Sequence, residues 1–281
     1  MVIEIVKFLI YSLLIVIIAK LILVKSLRKL AENLNLKPRI VGNIAGVATS
    51  IPEFLTVTIS SFNGLVGTSI YNIISSNIIN FIQYVLSIIF NKNYKELKNK
   101  AIILQIILVI ITIIIPIGLV QLEITSNIFI AVILIIMYFI FLLISNKVHK
   151  KYLKMEDYEL QQQEEHEEAE ERKNNKKNYV YIFYLLMSGI LLYFIGDKLG
   201  VVLENLSSIF GIAEYILGIL LGFITSIPEL VTFFEAQKHY KNSEHDNFLG
   251  VVETTNNLLT SNMLNLFIIQ AIGILIFIII N

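Results

Sequence analysis

The pentapeptide Thr49-Ser50-Ile51-Pro52-Glu53 recurs as Thr225-Ser226-Ile227-Pro228-Glu229, each copy in the middle of a long apolar stretch. Proline has no backbone N–H, so Pro52 leaves the carbonyl of Ala48 without its helical donor, and Pro228 does the same to Ile224. Each break therefore gathers a freed carbonyl, two hydroxyls and a carboxylate in one place. Such hard oxygen donors suit a cation like Ca²⁺ or Na⁺ and offer little to a soft transition metal. An ionisable residue inside a bilayer costs on the order of a few kcal/mol, so function is its default reading. A hydrogen bond to a neighbouring helix would account for one copy. Two copies in corresponding halves point instead to a transporter site.

Each pentapeptide is followed by a helix with a polar stripe. Thr68, Asn72, Ser76 and Asn80 fall at intervals of four, and so do Glu253, Asn257, Ser261 and Asn265. That spacing places each set on one helix face. Thr49 and Ser50 stand four and three residues before Glu53, as Thr225 and Ser226 do before Glu229, so their hydroxyls share the face of the acid. Interhelical hydrogen bonding explains one stripe. It does not explain why both end in the same pattern, Ser76-Asn77-Ile78-Ile79-Asn80 and Ser261-Asn262-Met263-Leu264-Asn265, after a proline break carrying Glu. Glu253 extends the second stripe toward one membrane face; it reads equally as a vestibule ligand, with Asn72 and Asn257 beside the path, or as a near-surface acid reaching water.

The elements that must hold these residues are membrane helices. The chain has 281 residues, 56% of them hydrophobic, with a mean hydropathy of +0.75. That is too apolar for a water-soluble domain and predicts an all-α, polytopic transmembrane bundle. Spans are expected at about residues 3–24, 40–61, 65–90, 101–120, 124–145, 179–200, 212–234 and 248–280, about eight helices, the last long enough to require a strong tilt or a kink. The first run has no small-residue cleavage site after it and stays as a helix. Cysteine is absent, which excludes disulfides, thiolate ligands and cysteine nucleophiles. Tryptophan is absent too, so interfacial anchoring falls to the 13 tyrosines and to Lys and Arg.

Residues 146–178 are polar, with Gln161-Gln162-Gln163 and the acidic run Glu164-Glu165-His166-Glu167-Glu168. Without an apolar face they read as a solvated linker between a first half, 1–145 (repeat at about 40–90), and a second, 179–281 (repeat at about 212–267). The acidic run lacks the alternating ligands and turning glycine of a formed Ca²⁺ loop. Positive residues follow the first, third, fifth and seventh spans: Lys25, Arg28, Lys29, Lys37 and Arg39; Lys92, Lys95, Lys98 and Lys100; Lys147, Lys150, Lys151, Lys154, Lys176 and Lys177; Lys238 and Lys241. The positive-inside rule then predicts both termini outside and the linker in the cytoplasm. It follows that the two pentapeptide helices cross in opposite directions, as inverted repeats.

Thr-Ser-aliphatic-Pro-Glu followed by Asn-x-x-x-Ser-Asn-x-x-Asn, present twice in opposite orientation, resembles the alpha-repeats of the cation/calcium exchanger superfamily, most closely its sodium/calcium exchanger branch. The resemblance covers about residues 40–90 and 212–267. It implies Ca²⁺ exchanged for Na⁺, with K⁺ in some members and H⁺ in a sister branch, and no organic cofactor. Carried over by motif, Glu53 and Glu229 would be the central Ca²⁺ ligands. Thr49, Ser50, Thr225 and Ser226 would add hydroxyl or carbonyl oxygens, the carbonyls of Gly46 and Gly222 would complete flanking Na⁺ positions, and Ser76, Asn80, Ser261 and Asn265 would line the same centre. Ala48 and Ile224 stand where family repeats often have Gly, and Asn265 where some members have Asp, leaving two carboxylates at the centre. The family usually has ten helices; the shorter second half here admits a monomer, a homodimer or a fragment of a longer chain.

The partners expected are the bilayer and metal cations, with no nucleic acid, in a prokaryotic inner or plasma membrane. A proton-coupled Ca²⁺ exchanger, a passive cation channel and a non-transporting Ca²⁺-binding protein stay open beside the Na⁺-coupled reading. An enzyme is not expected: His149, His166, His239 and His245 lie in polar connections, and no Ser-His or metal-binding His pair falls inside a span.

Overall fold

The computed structural model describes residues 2–26, 29–30, 36, 38–122, 127–152, 178–242 and 247–280. The acidic run and most of the expected linker lie outside the described residues. Among the described residues there is no strand, and eight helices are long and apolar enough to cross a membrane. The elements are α1 (Val2–Ile18), α2 (Pro38–Thr49), α3 (Ile51–Phe62), α4 (Val66–Asn91), α5 (Lys100–Gln121), α6 (Ile128–Tyr152), α7 (Asn178–Glu204), α8 (Glu214–Thr225), α9 (Ile227–Asn242), α10 (Asn247–Met263) and α11 (Gln270–Ile280). Pairs α2/α3 and α8/α9 are single spans interrupted at the prolines, and α10/α11 is one span with a π turn, Leu264–Ile269, at its middle. The span whose length was expected to require a strong tilt or a kink thus carries a π turn at its middle.

Four boundaries move from their expected places, one of them the end of α6, which runs past Ser145 to Tyr152 into the segment expected to be linker. The fifth span begins at Ile128 because the Asn127 side chain accepts from the Phe129 N–H at 2.9 Å and caps the helix there. The sixth runs past Gly200 to Glu204 and closes through a π turn, Asn205–Ile209, before Gly211 at φ 64°. The seventh extends beyond Phe234 to Asn242, since nothing in Glu235-Ala236-Gln237-Lys238 breaks a helix.

Close glycine contacts fix the relative directions of the helices. A β-carbon on Gly42 would strike the backbone of Glu253 on α10, and one on Gly46 would sit 2.6 Å from the Asn257 carbonyl. Residue numbers rise together, so α2 and α10 run parallel. Likewise Gly218 abuts Thr68 and Gly222 abuts Asn72, Ser75 and Ser76, so α8 runs parallel to α4. Between α3 and α4 the chain reverses in three residues, with Gly64 at φ 77° and Leu65 N–H donating to the Ser60 carbonyl at 2.8 Å. Hence α4 opposes α2, and α8, parallel to α4, opposes α2 as well. The repeats are inverted, and each broken helix packs on the striped helix of the other half.

Apolar clusters flank this arrangement. Phe8, Ile15, Leu192, Leu199, Leu203 and Leu217 join α1 and α7 to α8, while Tyr84, Ile102, Leu134, Phe233, Leu258 and Phe267 support α4 and α10 from α5, α6 and α9. The polar stripes are enclosed between them.

Candidate cation site

The two breaks have the same backbone. Ser50 lies at φ −78°, ψ −1° and Ser226 at φ −78°, ψ 0°, each the hinge between half-helices. Both acids fall in the first turn of the outgoing half-helix, where the positive end of the dipole favours a carboxylate. The incoming half-helices, α2 and α8, end at Thr49 and Thr225, so their negative ends and last carbonyls also converge there.

Glu53 and Glu229 are both 0% exposed, as are Thr49, Thr225, Ser226, Ser76, Asn80, Ser261 and Asn265; Ser50, Asn72 and Asn257 are buried with them. The Glu229 Oε1 accepts from Ser261 Oγ at 3.0 Å. Ser261 accepts in turn from Ser50 Oγ at 3.0 Å and from Asn80 Nδ2 at 3.3 Å, which ties both halves to one hydroxyl. The Glu53 carboxylate lies beside the hydroxyls of Thr225 and Ser76, and Glu229 beside those of Ser261 and Thr49. Gly46 O accepts the Ser50 N–H at 3.2 Å and Ser50 Oγ at 2.8 Å; Gly222 O accepts the Ser226 N–H at 3.2 Å and lies 3.5 Å from Ser76 Oγ. The residues expected at the centre from the sequence are thus all buried on α2/α3, α4, α8/α9, α10 and the π turn after it, and Gly46, Ser50, Asn80, Glu229 and Ser261 are joined there by hydrogen bonds.

Orphaned buried polar atoms also occur elsewhere, as at Gln83, Gln105 and Gln270, but here they gather on two carboxylates and their neighbours. Both oxygens of Glu53, Oε2 of Glu229, Oδ1 of Asn80, Asn257 and Asn265, and Oγ of Ser226 are buried and have no hydrogen-bond partner among the described residues. Buried polar atoms are almost always paired, so acceptors concentrated like this call for a positive charge. No cluster of three or more His, Cys, Asp or Glu side chains occurs among the described residues. Two carboxylates with neutral amide, hydroxyl and carbonyl oxygens therefore define the donor set, one suited to a hard cation.

Further residues complete the site. Thr56 and Thr232 each follow their glutamate by three. Thr56 Oγ1 accepts from Asn72 Nδ2 at 2.6 Å and reaches the Glu53 carbonyl at 3.1 Å; Thr232 Oγ1 accepts from Asn257 Nδ2 at 2.9 Å and donates to the Glu229 carbonyl at 2.9 Å. Their signal was present in the sequence as Pro-Glu-x-x-Thr in both repeats. Gly42 and Gly218 had a signal as well, the Gly-x-x-x-Gly spacing with Gly46 and Gly222. Glu253 is 2% exposed, with its backbone against Gly42 of α2.

Solved structures of the sodium-calcium exchanger NCX_Mj share this fold. That of crystals soaked with 10 mM Na⁺ and zero Ca²⁺ matches with a TM-score of 0.55 at 24% identity, over 98% of this chain and 84% of that one. With 2.5 mM Na⁺ and 0.1 mM Ca²⁺ the TM-score is 0.53 at 24% identity, and with 2.5 mM Na⁺ and 10 mM Sr²⁺ it is 0.51 at 22%, each over 98% of this chain and 83% of the other. No curated protein matches the chain. The family model for the sodium/calcium exchanger protein matches residues 5–147 and 180–280, nearly the whole of both halves. This integral membrane chain belongs to the sodium/calcium exchanger family.

Proposed function

We propose that this protein is a secondary active antiporter that exchanges Ca²⁺ for Na⁺ by alternating access, with Glu53 and Glu229 as the central ligands. The observation that carries the reading is the group of orphaned oxygens on Glu53, Glu229, Asn80, Asn257, Asn265 and Ser226. The two carboxylates together balance one Ca²⁺. Without a cation they would hold like charges close together in a low dielectric, which makes the empty protein costly to switch. Coupling follows from that cost: the loaded protein changes sides and the empty one does not. Thr49, Ser50, Thr225, Ser226, Ser76 and Ser261 supply further oxygens, and the carbonyls of Gly46 and Gly222 flank the centre as Na⁺ ligands. Helices α1 and α7, packed on one another outside the site, are the elements that slide to expose it to either face. Glu253 serves as a vestibule ligand that draws cations toward Asn257.

In the proposed topology both termini lie outside a cell's plasma or inner membrane, and residues 146–178 connect the halves in the cytoplasm. Ca²⁺ uptake into proteoliposomes tests the exchange directly. A Na⁺ gradient should drive uptake, and a Glu53→Gln or Glu229→Gln variant present in the membrane at normal amounts should abolish it. Uptake driven by a pH gradient alone would assign H⁺ as counter-ion, a K⁺ requirement would add that ion, and flux without any counter-ion would mark a channel. Unchanged Na⁺-driven uptake in either variant would remove the two glutamates from the mechanism.

A further inference from the structure

Where the two striped helices meet, Asn77 and Asn262 bond one another reciprocally. Asn77 Nδ2 donates to the backbone carbonyl of Asn262 at 3.2 Å, and Asn262 Nδ2 donates to the carbonyl of Asn77 at 3.1 Å. Their side-chain oxygens are also used reciprocally: Asn265 Nδ2 donates to Asn77 Oδ1 at 3.1 Å, and Asn80 Nδ2 donates to Asn262 Oδ1 at 3.3 Å. Asn77 Nδ2 additionally reaches the Thr112 carbonyl of α5 at 3.3 Å. All four asparagines are 0% exposed.

A primary amide has a donor end and an acceptor end of nearly the same shape, and only its partners decide which way it points. At a cation site the choice is decisive, because the oxygen binds the ion and the NH₂ repels it. In Asn265 the NH₂ is held by Asn77 Oδ1, in Asn80 by Asn262 Oδ1 together with Ser261 Oγ, and the opposite oxygens are the ones left without donors. We infer that Asn77 and Asn262 are positioning residues, whose side-chain oxygens fix the amides of Asn265 and Asn80 with their oxygens toward the cation. Each is supplied by the opposite repeat, so an amide in one half is oriented only when the other half is docked on it. This rests on the proposed cation site and adds to it the groups that orient its neutral ligands.

A carboxylate has no donor end, so the inference separates orientation from packing. Ca²⁺ binding to the purified protein is measured by calorimetry for wild type, Asn77→Leu, Asn265→Asp and the double variant. Asn77→Leu should weaken binding by about tenfold to a hundredfold, the usual effect of losing a partner behind a ligand. In the Asn265→Asp background the same change should cost less than about twofold, because either end of residue 265 is then an oxygen. Equal losses in both backgrounds would mean that Asn77 only packs, and would overturn the inference. Asn262→Leu with Asn80→Asp is the mirror test if Asn77→Leu does not fold.

A readout independent of the ion is hydrogen exchange of the Asn265 side-chain amide, followed by NMR in protein labelled with ¹⁵N-asparagine. Those protons should exchange slowly in wild type and quickly in Asn77→Leu; unchanged exchange would overturn the positioning role. Failure of the wild type to bind Ca²⁺ or Na⁺ would instead refute the proposed function, leaving the amide measurement to decide this one.

Discussion

Replacing Gly46 by alanine tests whether the interlocked packing of the repeats sets the geometry of the site. The new β-carbon would lie 2.6 Å from the Asn257 carbonyl oxygen, 2.9 Å from Thr260 Cβ and 3.1 Å from Ser261 N. The first and third of these are backbone atoms that no rotamer change can move aside. A carbon-to-oxygen contact relaxes at about 3.3 Å or more, so α2 and α10 must separate locally by about 0.7 Å. The bond between Ser50 Oγ and Ser261 Oγ, 3.0 Å long, spans that same interface. Stretched by this amount it exceeds 3.5 Å and is lost. Overpacking costs about 1–3 kcal/mol, and because the strain falls on Asn257 and Ser261, Ca²⁺ affinity should fall by about tenfold, equivalent to about 1.4 kcal/mol. Gly222→Ala is the mirror case, with Asn72 O at 2.7 Å and Ser76 N at 2.9 Å. Gly118→Ala is the control, since a β-carbon there meets nothing within 4 Å. Thermal melting in detergent and Ca²⁺ titration provide the two readouts. If Gly46→Ala melts and binds like Gly118→Ala, the close approach of α2 to α10 does not govern the centre and the reasoning fails.

Ser261→Ala removes the donor to Glu229 and the acceptor for Ser50 and Asn80 in one step; a hydrogen bond to a charged group is worth about 1.5–3 kcal/mol, so the KM for Ca²⁺ in proteoliposome flux should rise at least tenfold, roughly the lower end of that range, and an unchanged KM would place Ser261 outside the site. The chain has no cysteine, so single introduced cysteines report topology directly: Lys95→Cys should react with an impermeant maleimide only from the cytoplasmic side and Gln121→Cys only from outside, and the reverse pattern would invert the proposed orientation.

The acids, hydroxyls and stripe residues were legible in the sequence because each carries its own cost. A carboxylate or an asparagine inside an apolar span needs a reason, and a second copy at the same spacing supplies one. The helices were legible for a related reason, as apolar runs of membrane length, although their ends were set by local features such as the Asn127 cap and the π turn after Glu204. What was not legible is which residue meets which across the halves. Gly42 and Glu253 are neighbours in space and more than two hundred residues apart in the chain, and nothing in either segment alone names the other. Gly46 and Gly222 were read for their carbonyls, yet the structure gives them a second task, since only a missing side chain lets α2 and α8 lie against the stripes.

The same limit hid Asn77 and Asn262. Each was visible as part of a repeated Ser-Asn-x-x-Asn pattern, but the bonds that orient a neighbouring amide all run to the opposite repeat. This division has a physical basis. Residues that would touch the ion are expensive in the membrane wherever they sit, so they announce themselves one at a time. Residues that orient them become meaningful only when two inverted halves dock. A site assembled at such an interface has its chemistry written in each repeat and its geometry written in neither.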